Sequence, residues 1–206
     1  MRRALLPISA GLLSLTACST MTSGTAAPAA TPSLPSPSGA SQEVPGPGVP
    51  KVAVPLDTDR FKSAPCSALT AAQVTELFGR EITAKPDIEG PGGPGCSWDP
   101  VDGSRASVNV LFTTVDDLGL TSVYREQGKA YKFFQPLDPV DGYPVVAYGT
   151  SDARSTGRCS VAVGTSDRST VDITIFQSQA KIGTTDPCQV ARTVAEKVVA
   201  SLKGTS

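Results

Sequence analysis

Apolar residues recur along this chain in two rhythms, and the changes of rhythm mark the elements. "RASVNVLFTT" alternates strictly, with Val108, Val110 and Phe112 on one side, and predicts a strand with one buried face. "CSVAVGTSDRSTVDITIFQ" alternates on both sides of a polar turn at Ser166-Asp167. Val161 and Val163 precede the turn and Val171, Ile173 and Ile175 follow it, which predicts a hairpin. "KFFQPLD" and "YPVVAYG" are two more strands, and "REITAK" begins a short one before the loop "GPGGPG".

The helical rhythm appears in three places. In "PCSALTAAQVTELFG", Thr70 and Gln73 have capping-box spacing, Val74, Leu77 and Phe78 share a face, and Gly79 stands at the stop. In "DDLGLTSVYREQGKAY", Leu120, Val123, Tyr124 and Gln127 outline a second helix that Gly119 weakens. Asp116 and Asp117 are adjacent, so on a helix they diverge; they are expected to favour its N-terminus. In "TDPCQVARTVAEKVVASL", Asp186 caps, Pro187 takes the first position, and Ala191, Val194, Ala195, Val198 and Leu202 form an apolar stripe. Helices at both ends of an antiparallel set define an α+β domain. The expected architecture is five or six strands with the N- and C-terminal helices on one face.

This domain is expected over residues 56–206, a length that supports a single core. Ahead of it, residues 18–55 are dominated by Ser, Thr, Ala, Pro and Gly, without helix or strand period, and read as a disordered tether. Residues 1–17 read as an export signal. Arg2 and Arg3 form a positive start, and the apolar run Ala4 to Leu15 is too short to span a bilayer. The run ends in Leu15-Thr16-Ala17-Cys18, which resembles the lipobox of bacterial lipoproteins. In that class the thiol of the residue matching Cys18 receives a diacylglyceryl group and the chain is cut just before it; two acyl chains then suffice for stable anchoring. The expected localisation is therefore the outer face of the cell membrane, and the expected membrane contact is the lipid on Cys18.

Composition narrows the chemistry. Removing residues 1–17 leaves 189 residues with 16 basic and 19 acidic side chains, a net charge of −3, and no electrostatic case for nucleic acid. The chain has no histidine, which excludes Ser-His-Asp and Cys-His nucleophilic systems and histidine zinc sites. Cys66, Cys96, Cys159 and Cys188 form no CxxC pair, and in an exported protein an even set of scattered cysteines reads as two disulfides. Cys66 with Cys96 and Cys159 with Cys188 is the favoured pairing, each bridge tying a helix start to a neighbouring strand. The alternative joins Cys66 to Cys188 and Cys96 to Cys159.

The order of "PCSALTAAQVTELFG", "GCSW", "DGYPVVAYG", "CSVAV" and "DPCQVARTVAEKVVASL" resembles an actinobacterial lipoprotein family known only as a domain of unknown function, the DUF3558-type lipoproteins. The resemblance covers essentially the whole domain. It implies exported, lipid-anchored, small α+β domains and carries over no catalytic residue.

Other motifs are read from their own chemistry. "DPVDG" occurs at Asp99 to Gly103 and again at Asp138 to Gly142, as a tight turn requires, and neither copy has the ligand spacing of a calcium loop. In "GPGGPG", Pro91 and Pro94 remove amide donors, so a mobile loop is expected rather than an anion cradle. Trp98 is expected in the core beside a disulfide. The aromatic segment "YKFFQPLDPVDGYP" and its continuation place a possible binding surface at Phe133, Phe134, Tyr143 and Tyr148.

The expected function is a cell-envelope binding module, capturing a small ligand or docking on a protein partner, with no cofactor, no metal and no catalysis. Two alternatives stand beside it: an accessory structural subunit of an envelope complex, and an enzyme working with Asp, Glu, Ser, Lys or Tyr. A pocket with convergent polar groups favours the first reading, a flat apolar patch on the open sheet face the second, and two buried carboxylates with shifted pKa values the third.

Overall fold

The computed structural model describes residues 43–102 and 104–204. The expectations for the signal, for Cys18 and for most of the tether therefore lie outside the described residues. The described residues fall within one compact unit.

Seven strands make one antiparallel sheet: β1 (Ala84–Asp87), β2 (Gly95–Trp98), β3 (Ser107–Phe112), β4 (Phe133–Val140), β5 (Tyr143–Gly149), β6 (Arg158–Ser166) and β7 (Ser169–Phe176). Their order across the sheet is β1-β2-β3-β7-β6-β5-β4. The expectation of five or six strands falls short by β2, a strand of four residues; β1, also of four, starts within the short strand expected at "REITAK". Both edge strands carry proline, Pro86 in β1 and Pro136 and Pro139 in β4. A residue without an amide donor costs least where no neighbour waits on one side, and it blunts edge-to-edge association.

Strand alternation sends one set of side chains to the main core. Val108, Val110 and Phe112 of β3 lie there with Val161 and Val163 of β6 and Val171, Ile173 and Ile175 of β7, all at most 5 % exposed. Two helices cover this face. Helix α2 (Ala71–Phe78) starts with the expected capping box, Gln73 N donating to Thr70 Oγ1 at 3.3 Å and Thr70 N to Gln73 Oε1 at 2.8 Å. It stops at Gly79 in the left-handed conformation. Helix α4 (Pro187–Lys203) is capped by Asp186, which accepts from Cys188 N at 2.8 Å. Its whole predicted stripe is buried. The two helices are joined by Gln73 Nε2 donating to the Lys197 carbonyl (3.2 Å) and by the Lys197–Glu76 ion pair (2.7 Å). A five-residue helix, α1 (Asp59–Ser63), adds Phe61 to the same core.

The disulfides are Cys66–Cys96 and Cys159–Cys188, the favoured pairing. The first ties the turn before α2 to β2; the second ties the start of β6 to the start of α4. With separations of 30 and 29 residues, each stabilises by roughly 3–4 kcal/mol through the entropy removed from the unfolded chain. Trp98 lies at 1 % exposure in the core that contains Cys96.

The opposite face of the sheet carries a smaller cluster. Helix α3 (Leu120–Arg125) lays Leu120 and Val123 over Val146 and Ala162, with Val49, Tyr124, Tyr131, Phe134 and Tyr148 around them. The predicted second helix is thus real but only six residues long. Gly119 precedes it at φ +54°, where a side chain would lie 2.5 Å from the Asp167 carbonyl oxygen, so this glycine sets the helix start. Asp116 lies ahead of the helix, whose first turn carries no acidic residue. It accepts from Leu118 N and Ser122 Oγ, while Asp117 pairs with Arg168.

Two further expectations are revised. Residues 43–55, read as tether, include a stretch that lies on the domain: Gly46 N donates to Thr121 Oγ1 (3.0 Å) and Val52 N to Asp167 Oδ1 (2.8 Å), and Val52 joins the core. Scattered valines between prolines leave no periodic signal, yet each can fill a local gap. The glycine-proline loop, read as mobile, is held by Phe112 N donating to the Pro94 carbonyl and Thr114 N to that of Gly92, extending the β2–β3 pairing.

Candidate functional site

Of several cavities among the described residues, two lie on opposite sides of the sheet and are lined by side chains with distinct chemistry. The larger, about 440 Å³, lies where the C-terminal end of α2 and the first turns of α4 meet the start of β3 and the end of β7. Its walls are apolar: Leu77 and Phe78 from α2, Val190 and Val194 from α4, Val108 and Ile175 from the sheet. Leu77, Phe78 and Val190 pack against the main core on one side and stay half-buried, leaving the other side to the cavity. The rim is polar, with Arg80, Asp102, Ser104, Ser178 and Lys181.

The first "DPVDG" shapes that rim. Asp102 accepts from Ser104 N at 3.0 Å and pairs with Arg80 at 2.5 Å, and these contacts, the Ser104 hydrogen bonds foremost, hold its carboxyl below the usual range. Arg105, between the lining residues Ser104 and Ala106, has φ +60° and reaches Gln179 Oε1 at 3.4 Å. The second copy is a plain hairpin. Asp141 and Gly142 form the two-residue turn joining β4 to β5, both at positive φ, the geometry that matches strand twist. Arg192 of α4 donates to the carbonyls of Asp138 (2.8 Å) and Pro139 (3.0 Å), and Lys203 pairs with Asp141. Identical pentapeptides thus end in different roles: the second closes β4 onto β5 through a two-residue turn, whereas the first only begins the longer connection from β2 at Trp98 to β3 at Ser107.

The smaller cavity, about 200 Å³, lies on the α3 side. Its floor is Asp172, a half-buried acid on the second face of the central strand β7. Tyr148 Oη donates to Asp172 Oδ1 at 3.1 Å and Thr113 Oγ1 donates to Oδ2. Burial raises the Asp172 carboxyl to about 6, against the two hydrogen bonds that favour its ionised form. The Tyr148 phenol is pushed well above its usual range, first by burial and then by the Asp172 charge; Tyr131, 4.7 Å away edge-to-face, is raised for the same reasons.

The four aromatics expected to form one binding surface are divided between the two faces. Tyr143 is 6 % exposed in the main core, and Phe133 packs against that core under the Arg154 guanidinium. Phe134 meets Tyr124 edge-to-face at 4.9 Å on the other side, beside Tyr148. Neighbours in a strand point to opposite faces, so Phe133 and Phe134 cannot share a surface. The α2–α4 groove escaped the sequence reading because its lining comes from four separate segments. Asp172 had a signal, a charged residue inside the "VDITI" alternation.

Among the described residues no group of three or more Cys, Asp or Glu side chains could hold a metal ion, and no helix is long and apolar enough to cross a membrane.

What fold and cavities define is a small α+β domain, clamped by two disulfides and hollowed on both sides of its sheet. The chain belongs to the family described as "Protein of unknown function (DUF3558)", which matches residues 13–201. No curated protein and no solved structure matches the chain significantly.

Proposed function

We propose that this protein is an exported, lipid-anchored cell-envelope module that captures a small ligand in the α2–α4 groove and does not catalyse its conversion. The groove carries the reading. A cavity of about 440 Å³ with apolar walls and a few polar groups at its mouth has the size and make-up of a ligand pocket, which run from roughly 300 to 1,000 Å³. Arg80 and Lys181 line the mouth against one carboxylate, Asp102, and this excess of positive charge favours a ligand with an apolar body and an anionic head. The lipobox at Cys18 and the Pro-rich stretch after it support anchoring at a set reach from the membrane, which raises the effective concentration of a capture device.

The non-catalytic part rests on the side chains at hand. There is no histidine in the chain, and the one carboxylate among the described residues that is raised toward neutrality, Asp172, lies on the other face from the groove. The face around Asp172 is partly covered by α3 and mixes apolar Leu111 and Ala162 with polar Asn109, Ser160 and Thr174, so it offers no flat, open apolar patch, which speaks against the accessory-subunit reading.

The test uses 1-anilinonaphthalene-8-sulfonate, an apolar body with an anionic head. It should bind saturably, be displaced by dodecanoate, and bind at least ten-fold more weakly to Val190→Trp, which fills the groove from its half-buried edge. Unchanged binding by this variant, with its melting temperature retained, would refute the groove as the site.

A further inference from the structure

We propose that the cavity over Asp172 is a second binding site, taking the head of a small organic cation of the alkylammonium class. The first argument is charge without a counter-ion. Asp172 receives hydrogen bonds from two neutral hydroxyls, Tyr148 and Thr113, and its polar contacts among the described residues include no ammonium or guanidinium. The basic residue in the cavity wall, Arg168, is held at 2.9 Å by Asp117. A carboxylate set into protein with only neutral partners keeps much of its desolvation cost, and a cation entering the cavity removes it.

The walls supply the second argument. Tyr131 and Tyr148 meet edge-to-face beside the acid, and Leu111 and Val123 complete an apolar surround. Aromatic faces next to a carboxylate attract an ammonium that carries carbon, through the ring quadrupole and through contact area. A bare metal ion fits less well: both oxygens of the one floor carboxylate already accept hydrogen bonds, and three or more acidic or sulfur ligands do not converge among the described residues. A volume of about 200 Å³ holds a head group rather than a whole amphiphile. This site lies across the sheet from the groove and stands or falls independently of it.

Protonation gives the site a pH profile. The titratable and charged groups around Asp172 and its two tyrosines are Tyr148 on β5, Tyr131 ahead of β4, Arg158 on β6, Glu126 at the end of α3, Asp116 ahead of α3, and Arg168 of the β6–β7 turn paired with Asp117. Among them the Asp172 carboxyl, at about 6, is the one raised toward neutrality, and both tyrosines are driven away from it. Cation binding should weaken about ten-fold from pH 7.5 to pH 5 as this carboxyl takes up its proton.

The experiment follows the ring signals of Tyr131 and Tyr148 by NMR in the whole protein while n-butylammonium chloride is added at constant ionic strength. Saturable shifts are expected at pH 7.5, with affinity at least ten-fold lower in Asp172→Asn, which retains the size of the side chain, and several-fold lower in Tyr131→Leu. Absence of saturable shifts overturns the proposal. So does the same response to sodium or calcium chloride, equal binding at pH 5, or equal binding by Asp172→Asn. Full binding by Tyr131→Leu overturns the organic class.

Discussion

Tyr148 and Asp172 are joined by a 3.1 Å hydrogen bond although β6 runs between their strands. The diagonal works because a tyrosine is long enough to reach over a neighbouring strand, and because Ser160 and Ala162 beneath it on β6 are small. The contact places a phenol and a carboxyl, both pushed upward by burial, at the centre of the sheet's second face.

Replacement of Asp172 by Asn should stabilise the protein at neutral pH. The folded carboxyl, at about 6, is raised above its unfolded value of 3.8, so between those values the native state holds a proton that the unfolded state has released. Native stability therefore falls as pH rises from about 4 to 6 and is lowest, on this account, above 6. A shift of about two units sets an upper bound of roughly 3 kcal/mol. Urea unfolding should show Asp172→Asn more stable than the parent at pH 8 and equal to it near pH 4. A variant less stable at pH 8 would contradict the direction.

Tyr148→Phe removes a donor that favours ionised Asp172. The Asp172 midpoint should move further up, read by carboxyl ¹³C chemical shifts, and stability should drop by about 1 kcal/mol for the lost hydrogen bond. A midpoint that moves down would show that the phenol does not donate to the acid.

Arg192 clamps α4 to the β4–β5 hairpin through two carbonyls. Arg192→Ala should cost about 1–2 kcal/mol in thermal unfolding, and Arg192→Lys should recover little, since an ammonium cannot reproduce the planar fork. Full recovery by lysine would reduce the contact to simple charge.

Of the four aromatics once grouped together, Tyr143 is the core residue. Tyr143→Ala should destabilise by about 3 kcal/mol or more through the cavity left behind, whereas Phe133→Ala, half-buried at an edge strand, should lower the melting temperature much less. Equal melting temperatures for the two variants would contradict this division.

Cys18→Ser should release the protein from the membrane fraction or block its maturation, because a hydroxyl does not replace the thiolate as the nucleophile that takes the lipid. Normal processing with retained membrane binding would refute lipid anchoring at this residue.

Much of the local structure was legible in the residues alone. The capping box at Thr70 and Gln73, the Asp186-Pro187 start of α4, the β6–β7 hairpin and the inward sets on β3, β6 and β7 depend on neighbours within a few positions, and their period is written in the chain. The short strand β2 and the packing of Val52 were not, because four residues carry almost no period and a valine between prolines signals nothing until a gap exists to receive it. The order of the strands, with β3 pairing β7 across sixty residues of chain, was decided in three dimensions. So were both cavities. The groove gathers side chains from α2, the β2–β3 turn, β7 and α4, and the Asp172 site gathers them from β3, β5, β7 and α3. Burial and charge at such places depend on which segments meet, and segments far apart in sequence meet only when the sheet has closed.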